Sequence, residues 1–489
     1  MTPRFRLALV AGVIALTGCS DSFNAGPIDY APSPDLVKLN QEAKDSAGKP
    51  VLKDGKPVME PKRELLNRVN KSMTDVFGPT PQEMVVPKGA GLPEGGARLA
   101  DQARVGTDKT FGPVGWHQYG PDGKLKGDVL IEGGYSLYRK HCLHCHGVSG
   151  DGAGPTSAFL WPRPRDYRRG IFKFTSTTGQ KPTREDLARI VNHGIGNSSM
   201  PAFEALMDQR EVQQVIDYVI FLSARGETER RLIEEASTED EPKDAKAESP
   251  INKEKAEEIA QSVFDLWKTA ETEVLNPPVP RTPSTRQSIA NGKTLFLGLG
   301  TPKLECAGCH GPRAKGDGQS FVPYDMFREV VFGGDPAMQD TRLEEVIERE
   351  AERAVEDAEP ELAEIKSPGE REKKAEEIKK AKAESVRQLW VKGSLDDWGN
   401  PLRPANINNG PTTQYKGGRR PIDLYWRIAK GINGAKMPAH AQLLKPEQIW
   451  DLVNFVLALP YQPNLLNDAP DTIPAATSTP AVTASASSK

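Results

Sequence analysis

One six-residue run occurs twice in this chain and constrains it more than any other feature. Cys142-Leu143-His144-Cys145-His146-Gly147 returns as Cys306-Ala307-Gly308-Cys309-His310-Gly311. The surroundings return with it. A Gly-Asp-Gly follows each run, at 150–152 and 316–318, and Arg163-Pro164 is echoed by Arg403-Pro404. Arg189-Ile190 stands ahead of Gly194-Ile195, as Arg427-Ile428 stands ahead of Gly431-Ile432. Six residues after each of those glycines comes Met-Pro-Ala, at Met200-Pro201-Ala202 and Met437-Pro438-Ala439. Matched features in the same order describe a duplicated unit, over 126–225 and again over 284–462.

Periodicity makes both units helical. Each closes with an amphipathic stretch, 210–222 (Val212, Val215, Ile216, Val219) and 446–459 (Ile449, Leu452, Val453, Val456), with apolar residues at three- and four-residue steps. Another helix precedes each Met, at 183–193, opened by a Thr183…Asp186 capping pattern, and at 421–430. The fold class expected is therefore mainly α: two helical domains joined by a charged helical linker at 226–283. That linker is helical at 253–272 and ends in Asn276-Pro277-Pro278-Val279-Pro280, which cannot continue a helix. The second unit carries an insertion, since His310 to Met437 spans 127 residues against 54 from His146 to Met200. Its excess, 338–390, is dense in Glu, Lys, Arg and Ala and is divided by Pro360 and Pro368, which reads as a helical hairpin. Such a hairpin is either a solvated charged pair or a partner-docking arm.

The rest of the chain is poorer in pattern. Residues 19–125 read as a mostly irregular tether with one helical stripe at 62–77 (Leu65, Leu66, Val69, Met73, Val76). Residues 463–489 are low-complexity and expected to be disordered. Composition agrees: 44 Gly and 41 Pro in 489 residues, with 37% hydrophobic residues, mean that part of the chain packs a core and part does not. A net charge of −3 excludes a nucleic-acid binder held by overall basicity, and a mean hydropathy of −0.54 excludes a polytopic membrane protein.

Cys-x-x-Cys-His is the attachment pattern of c-type haem. Two thiols a helical turn apart can add to the two vinyl groups of one haem, and the next residue, His, then lies under the iron. Cys142, Cys145 and His146 would hold one haem c; Cys306, Cys309 and His310 would hold another. Three other readings compete. A zinc ribbon would leave the two His unexplained, a thioredoxin-like site would need a βαβ pattern that is not seen, and adjacent Cys-x-x-Cys disulfides would be strained.

Iron then needs a sixth ligand or an open site. Met200 and Met437, at matched positions, are the expected axial ligands. His/Met ligation fills both axial positions, which suits one-electron transfer rather than substrate conversion. His193 and His440 could replace the Met in a bis-His site, but each appears in one unit. His141 and His144 are expected to face outward, and His117 has no evident partner. Each axial His should donate its other N–H to a backbone carbonyl, with Pro155, Pro164 and Pro404 as candidates. Arg163 and Arg403 would either pair with propionates or lie on the surface.

Residues 1–18 read as an export signal: Arg4 and Arg6, then ten apolar residues at 7–16, too few for the roughly 20 that span a bilayer core. The following Leu16-Thr17-Gly18-Cys19 resembles the lipobox of bacterial lipoproteins, with Cys19 the acylated residue; an ordinary cleaved signal is the alternative. Acylation would place the protein at the periplasmic face of a bacterial membrane.

Both units resemble the class I cytochrome c family. Gly133-Gly134-Tyr135-Ser136-Leu137-Tyr138 and Asn291-Gly292-Lys293-Thr294-Leu295-Phe296 are similar to its first-helix segment, and Tyr218 and Phe455 to the aromatics of its last helix. The resemblance covers under half of the chain, and the 338–390 insertion departs from it. It implies a di-haem electron carrier of the membrane-anchored bacterial kind. Its partners would be a redox donor and acceptor, such as a quinol-oxidising complex and a terminal haem-copper oxidase. The alternative is a haem-containing oxidoreductase subunit or a di-haem peroxidase.

Overall fold

The computed structural model describes residues 28–31, 40–43, 45, 49–53, 55–104, 129–242, 244, 246–413 and 415–469. The export signal, Cys19, His117 and the tail beyond 469 lie outside the described residues. The fold is mainly helical, as expected, with three two-stranded antiparallel ribbons near the N-terminus. In chain order, α1 (Arg63–Phe77), α2 (Gly134–His141), α3 (Leu143–His146), α4 (Arg184–His193), α5 (Gln209–Thr238) and α6 (Lys253–Ala270) build around the first unit. The second follows with α7 (Arg286–Phe296), α8 (Cys306–His310), α9 (Tyr324–Phe332), α10 (Gln339–Asp357), α11 (Glu359–Ala363), α12 (Pro368–Gln388), α13 (Pro421–Lys430) and α14 (Pro446–Ala458).

Both units rest on one kind of crossing. α2 meets α5 at Gly134, where a Cβ would lie 2.2 Å from the Gln214 carbonyl oxygen and 3.0 Å from Tyr218 Cβ. α7 meets α14 at Gly292, where a Cβ would lie 2.2 Å from the Asp451 carbonyl oxygen and 2.7 Å from Phe455 Cβ. With no side chain between them the backbones touch, and the aromatics beside the contact meet at a tilt. Tyr138 and Tyr218 have ring centroids 5.1 Å apart, and Phe296 and Phe455 are 5.3 Å apart. Caps fix where α4 and α5 begin. Thr183 and Asp186 form the expected capping box of α4, and Asp208 and Glu211 form one on α5.

Three stretches are more folded than their composition suggests. α1 buries Leu65, Val69, Met73 and Phe77 in the same core as Tyr138, Ile216 and Phe221, and Leu92 and Leu99 join it. The 19–125 stretch is therefore no free tether over its described part. α5 runs through Thr238 instead of ending near 222, because Leu232, Ile233 and Ala236 prolong its apolar stripe. The Lys62 ammonium caps its far end, donating to the carbonyls of Ala236 (3.2 Å) and Ser237 (2.9 Å). α6, charged on one face, buries Ala260, Val263, Phe264 and Trp267 against α1 and α5. The tail is ordered as far as Leu466 and Ala469, both buried in the second core, so disorder cannot begin at 463. The apolar Leu465-Leu466 pair is the reason.

The insertion forms the expected hairpin from α10 and α12, tied by Arg387–Glu344 (2.6 Å) and Lys379–Glu352 (3.6 Å). Pro360 and Pro368 sit in the first turns of α11 and α12, where a missing N–H costs nothing. α9, not foreseen, completes a small core of Phe327, Val330, Val346, Ile347, Val386 and Trp390. Trp161 of the first unit packs edge-on against Phe327 (5.4 Å) and Phe332 (5.5 Å), joining the base of the hairpin to that unit. Among the described residues no helix is long and apolar enough to cross a membrane.

We expect Gly134→Ala to destabilise the protein by about 1–3 kcal/mol through overpacking, read as a lower thermal midpoint by circular dichroism. Gly369→Ala, where a Cβ meets nothing within 4 Å, should not lower it.

Candidate functional site

The repeated motif sits on a single helical turn in both units. α3 ends at Gly147 with φ 76°, and a Cβ there would lie 1.9 Å from Asp151 Oδ1; α8 ends at Gly311 with φ 80° and the same 1.9 Å approach to Asp317 Oδ1. Glycine is required at each position, because other residues rarely adopt this left-handed backbone. The chain then folds back on the turn. Gly152 N–H donates to the His146 carbonyl (2.9 Å) and Gly154 N–H to that of Cys145 (3.2 Å). Gly316 does so to His310 (2.8 Å) and Gly318 to Cys309 (3.1 Å). The equivalent residues are thus Gly152 with Gly316 and Gly154 with Gly318. The two Gly-Asp-Gly runs, alike as text, are offset by two residues, since backbone hydrogen bonds set the register.

Each motif His is oriented from behind. His146 Nδ1 lies 3.4 Å from the Arg165 carbonyl oxygen, and His310 Nδ1 lies 3.1 Å from that of Ala405. The acceptors stand one residue beyond Pro164 and Pro404, not on the prolines themselves. With Nδ1–H donating, Nε2 keeps its lone pair, the arrangement a metal-ligating imidazole needs. Burial pushes the His146 pKa down to about 4, against the hydrogen bond to Arg165, and lowers that of His310. Both rings are neutral at pH 7. Burial also pushes the Cys142 and Cys306 thiols up to about 12 and raises Cys309.

One continuous cavity of about 1610 Å³ takes in both motifs, with Cys142, Cys145, His146 and Met200 on one side and Cys306, Cys309, His310 and Met437 on the other. A pocket for one small ligand is usually about 300–1,000 Å³. The Met loops that close it are built alike. Gly194 (φ 67°) and Gly431 (φ 76°) turn the chain, and the N–H of Ile195 and of Ile432 each donates to the carbonyl of the Met six residues past that glycine, both at 3.1 Å. The walls are apolar around Val215, Val219, Ile428, Leu452 and Val456, yet cations outnumber carboxylates along the lining. The Lys416 ammonium opens onto this space with no partner among the described residues, and burial lowers its pKa.

These features fit haem. Paired thiols, a neutral His with a free Nε2, an apolar slot and an unmatched cation are what a porphyrin with vinyl groups, iron and propionates requires. Two competing readings find no geometry. All four described cysteines are free of disulfides, and among the described residues no three His, Cys, Asp or Glu group to hold a metal ion.

Residues 130–219 match the family described as cytochrome C oxidase, cbb3-type, subunit III. They are a cytochrome c domain. A domain of this kind binds haem c covalently, and the chain is a haem-containing electron-transfer protein. No match was found among curated proteins. Among solved structures, the chain is similar to a Kuenenia stuttgartiensis reducing HAO-like protein complex, Kustc0457/Kustc0458, at 24% identity and a TM-score of 0.39, covering 67% of this chain and 94% of that one.

The remaining candidates divide. His193 is exposed and pairs with Glu204 at 3.2 Å, whereas His440 lies on the cavity with Nδ1 3.2 Å from the Ile428 carbonyl oxygen. His141 is half-buried edge-on to Phe203 instead of facing outward, and His144 is exposed. Arg403 spends its guanidinium on the carbonyls of Val322 (2.7 Å) and Gly316 (3.0 Å), so it ties the segment ahead of α9 to the motif loop. Arg163 lines the cavity. Sequence reasoning missed Arg165, Lys173, Asp396 and Lys416. Arg165 follows the shared Arg-Pro but has Ala405 as its counterpart, and the other three lie in loops where the two units share no pattern, so repetition gives no signal.

The folded His146 pKa lies below its unfolded value of 6.5. The unfolded chain therefore binds the proton first, and His146 contributes stability that is present above about pH 6.5 and lost as the pH falls towards about 4. In the haem-free chain, the urea midpoint should drop across that window more steeply than in His146→Gln.

Proposed function

We propose that this chain carries two haem c groups and passes single electrons between redox proteins at the periplasmic face of a bacterial membrane. Cys142 and Cys145 would attach one haem, with His146 and Met200 as axial ligands; Cys306, Cys309, His310 and Met437 would hold the other. The observation that carries this reading is the recurrence, on one cavity, of a Cys-x-x-Cys turn whose His donates Nδ1–H to a backbone carbonyl. When bound, haem supplies a one-electron iron couple, at raised potential with His/Met ligation. The chain's own residues do the rest. Val215, Val219, Leu452 and Val456 keep water from the slot, Arg165 and Ala405 fix the His rings, and Lys416 offers charge to a propionate. Two Met loops of identical build support a carrier over a peroxidase, which needs an open sixth position.

The reading of location rests on the sequence, and the reading of partners is supported by the family description. Cys19, after the export signal, would carry the lipid anchor. The likeness of 130–219 to an oxidase subunit supports a terminal haem-copper oxidase as acceptor, with a quinol-oxidising complex as donor.

Pyridine haemochrome assay of acid-acetone-washed protein should give two haems per chain, and Cys306→Ala with Cys309→Ala should give one. The reduced protein should not bind carbon monoxide promptly. One haem or none in the parent chain, or prompt carbon monoxide binding, would overturn the proposal. Cys19→Ser should move the protein from the membrane to the soluble fraction; unchanged fractionation would reject the anchor.

A further inference from the structure

The loop 394–402 belongs to the second unit but reaches the first unit's motif. Asp396 is its centre, with a side chain only 3% exposed. Its Oδ1 accepts the N–H of Trp398 (3.0 Å) and of Asn400 (2.9 Å), which closes the loop on itself. Its Oδ2 meets two cations from the first unit, Lys173 Nζ at 3.0 Å and the Arg165 guanidinium at 3.4 Å. Trp398 covers the same guanidinium, whose carbon lies 3.8 Å from the ring centroid. Arg165 is the residue whose carbonyl accepts from His146 Nδ1. One short chain of contacts therefore runs from an acid of the second unit to the axial histidine of the first. The second unit has no counterpart, because Ala405 stands where Arg165 does.

The far side of the loop faces the other Met. Asp397 N–H donates to the Gly434 carbonyl (3.1 Å), and Lys436 Nζ lies 3.8 Å from Asp397 Oδ1. Trp398 packs so closely on Gly434 that a Cβ there would lie 2.0 Å from the ring. Gly434 and Lys436 stand three residues and one residue before Met437.

We propose that Asp396 is a positioning residue of the second unit that sets the reduction potential of the first unit's haem. The inference rests on the di-haem reading above. Asp396 places a negative charge, out of water, beside the guanidinium of Arg165, the residue whose backbone carbonyl orients His146. In such a medium charges act strongly on one another, and outer partners of an axial His tune the metal. A nearby negative charge favours the oxidised, more positive iron. Removing it also leaves Arg165 and Lys173 without their counter-charge, which acts in the same direction. Asp396→Asn should therefore raise one midpoint, and Lys173→Gln, which removes a positive charge, should lower the same one.

The test is spectroelectrochemical titration of the full, haem-loaded chain. Asp396→Asn should change the oxidised-to-reduced ratio of one haem at fixed potential about tenfold, which is about 59 mV for one electron. Asp396→Glu should restore most of it. In a Met437→His background, where the second unit's haem moves to lower potential, the shift should stay with the high-potential midpoint. Lys173→Gln keeps the proposal testable if Asp396→Asn does not fold, since opposite signs cannot come from general loosening. Unmoved midpoints, equal shifts in both haems, or shifts of one sign in both variants would overturn the assignment. A haemochrome count below two in the parent chain would instead sink the di-haem reading, so the two failures are distinguishable.

Discussion

The backbone contact between the first and last helices of each unit is the constraint from which the sites follow. At Gly134 and Gly292 a helix comes close enough to touch the carbonyl of Gln214 or Asp451. That distance brings Tyr138 against Tyr218 and Phe296 against Phe455, and it fixes the direction in which the first helix ends. The Cys-x-x-Cys-His turn begins within a few residues of that end in α3, and across a short loop in α8. A bulkier residue at either glycine would push the helices apart and move both thiols relative to the carbonyl that holds the His. Precision at the site is thus inherited from close packing some distance away, as expected of a site built on rigid elements.

The two units do not sit side by side as independent beads. The Lys430 ammonium donates to the carbonyls of Thr177 (2.6 Å) and Gly179 (3.2 Å), and Asn433 Nδ2 donates to that of Phe172 (3.0 Å). Trp426 Nε1 donates to the Leu275 carbonyl (2.7 Å), and Leu275 N–H to that of Ser176 (2.8 Å). The linker is therefore held between the units and does not swing. Joined in this way, two clefts that would each open to solvent open onto one another. Phe327 and Phe332 of α9, beside the insertion, and Trp161 of the first unit contribute to the same wall, so the hairpin's base is part of the junction while its charged shaft faces water.

The parts of the fold legible in the sequence were those governed by near neighbours. The Thr183 cap, the apolar stripes of α1, α4 and α14, and the prolines that start α11 and α12 depend on residues within a turn or two. What was misread depends on distant ones. The stripe on Val263 and Trp267 reads as part of a charged linker until α1 and α5 are seen to cover it. The composition of 19–104 hides the burial of Leu92 and Leu99. The Gly-Asp-Gly runs match as letters but not in space, because Ala314 takes a left-handed turn (φ 58°) where Gly150 does (φ 68°).

The sequence by itself determined the candidate chemistry: paired thiols with a following His, twice, and a Met six residues past a repeated glycine, twice, since residue type and local spacing are written in the chain. Tertiary structure alone decided which carbonyl holds each His, that the two clefts form one space, and that Asp396 of one unit reaches the other's Arg165. These contacts join residues from 19 to 231 positions apart. Their formation depends on how helices pack, and packing leaves no periodic trace in a single chain.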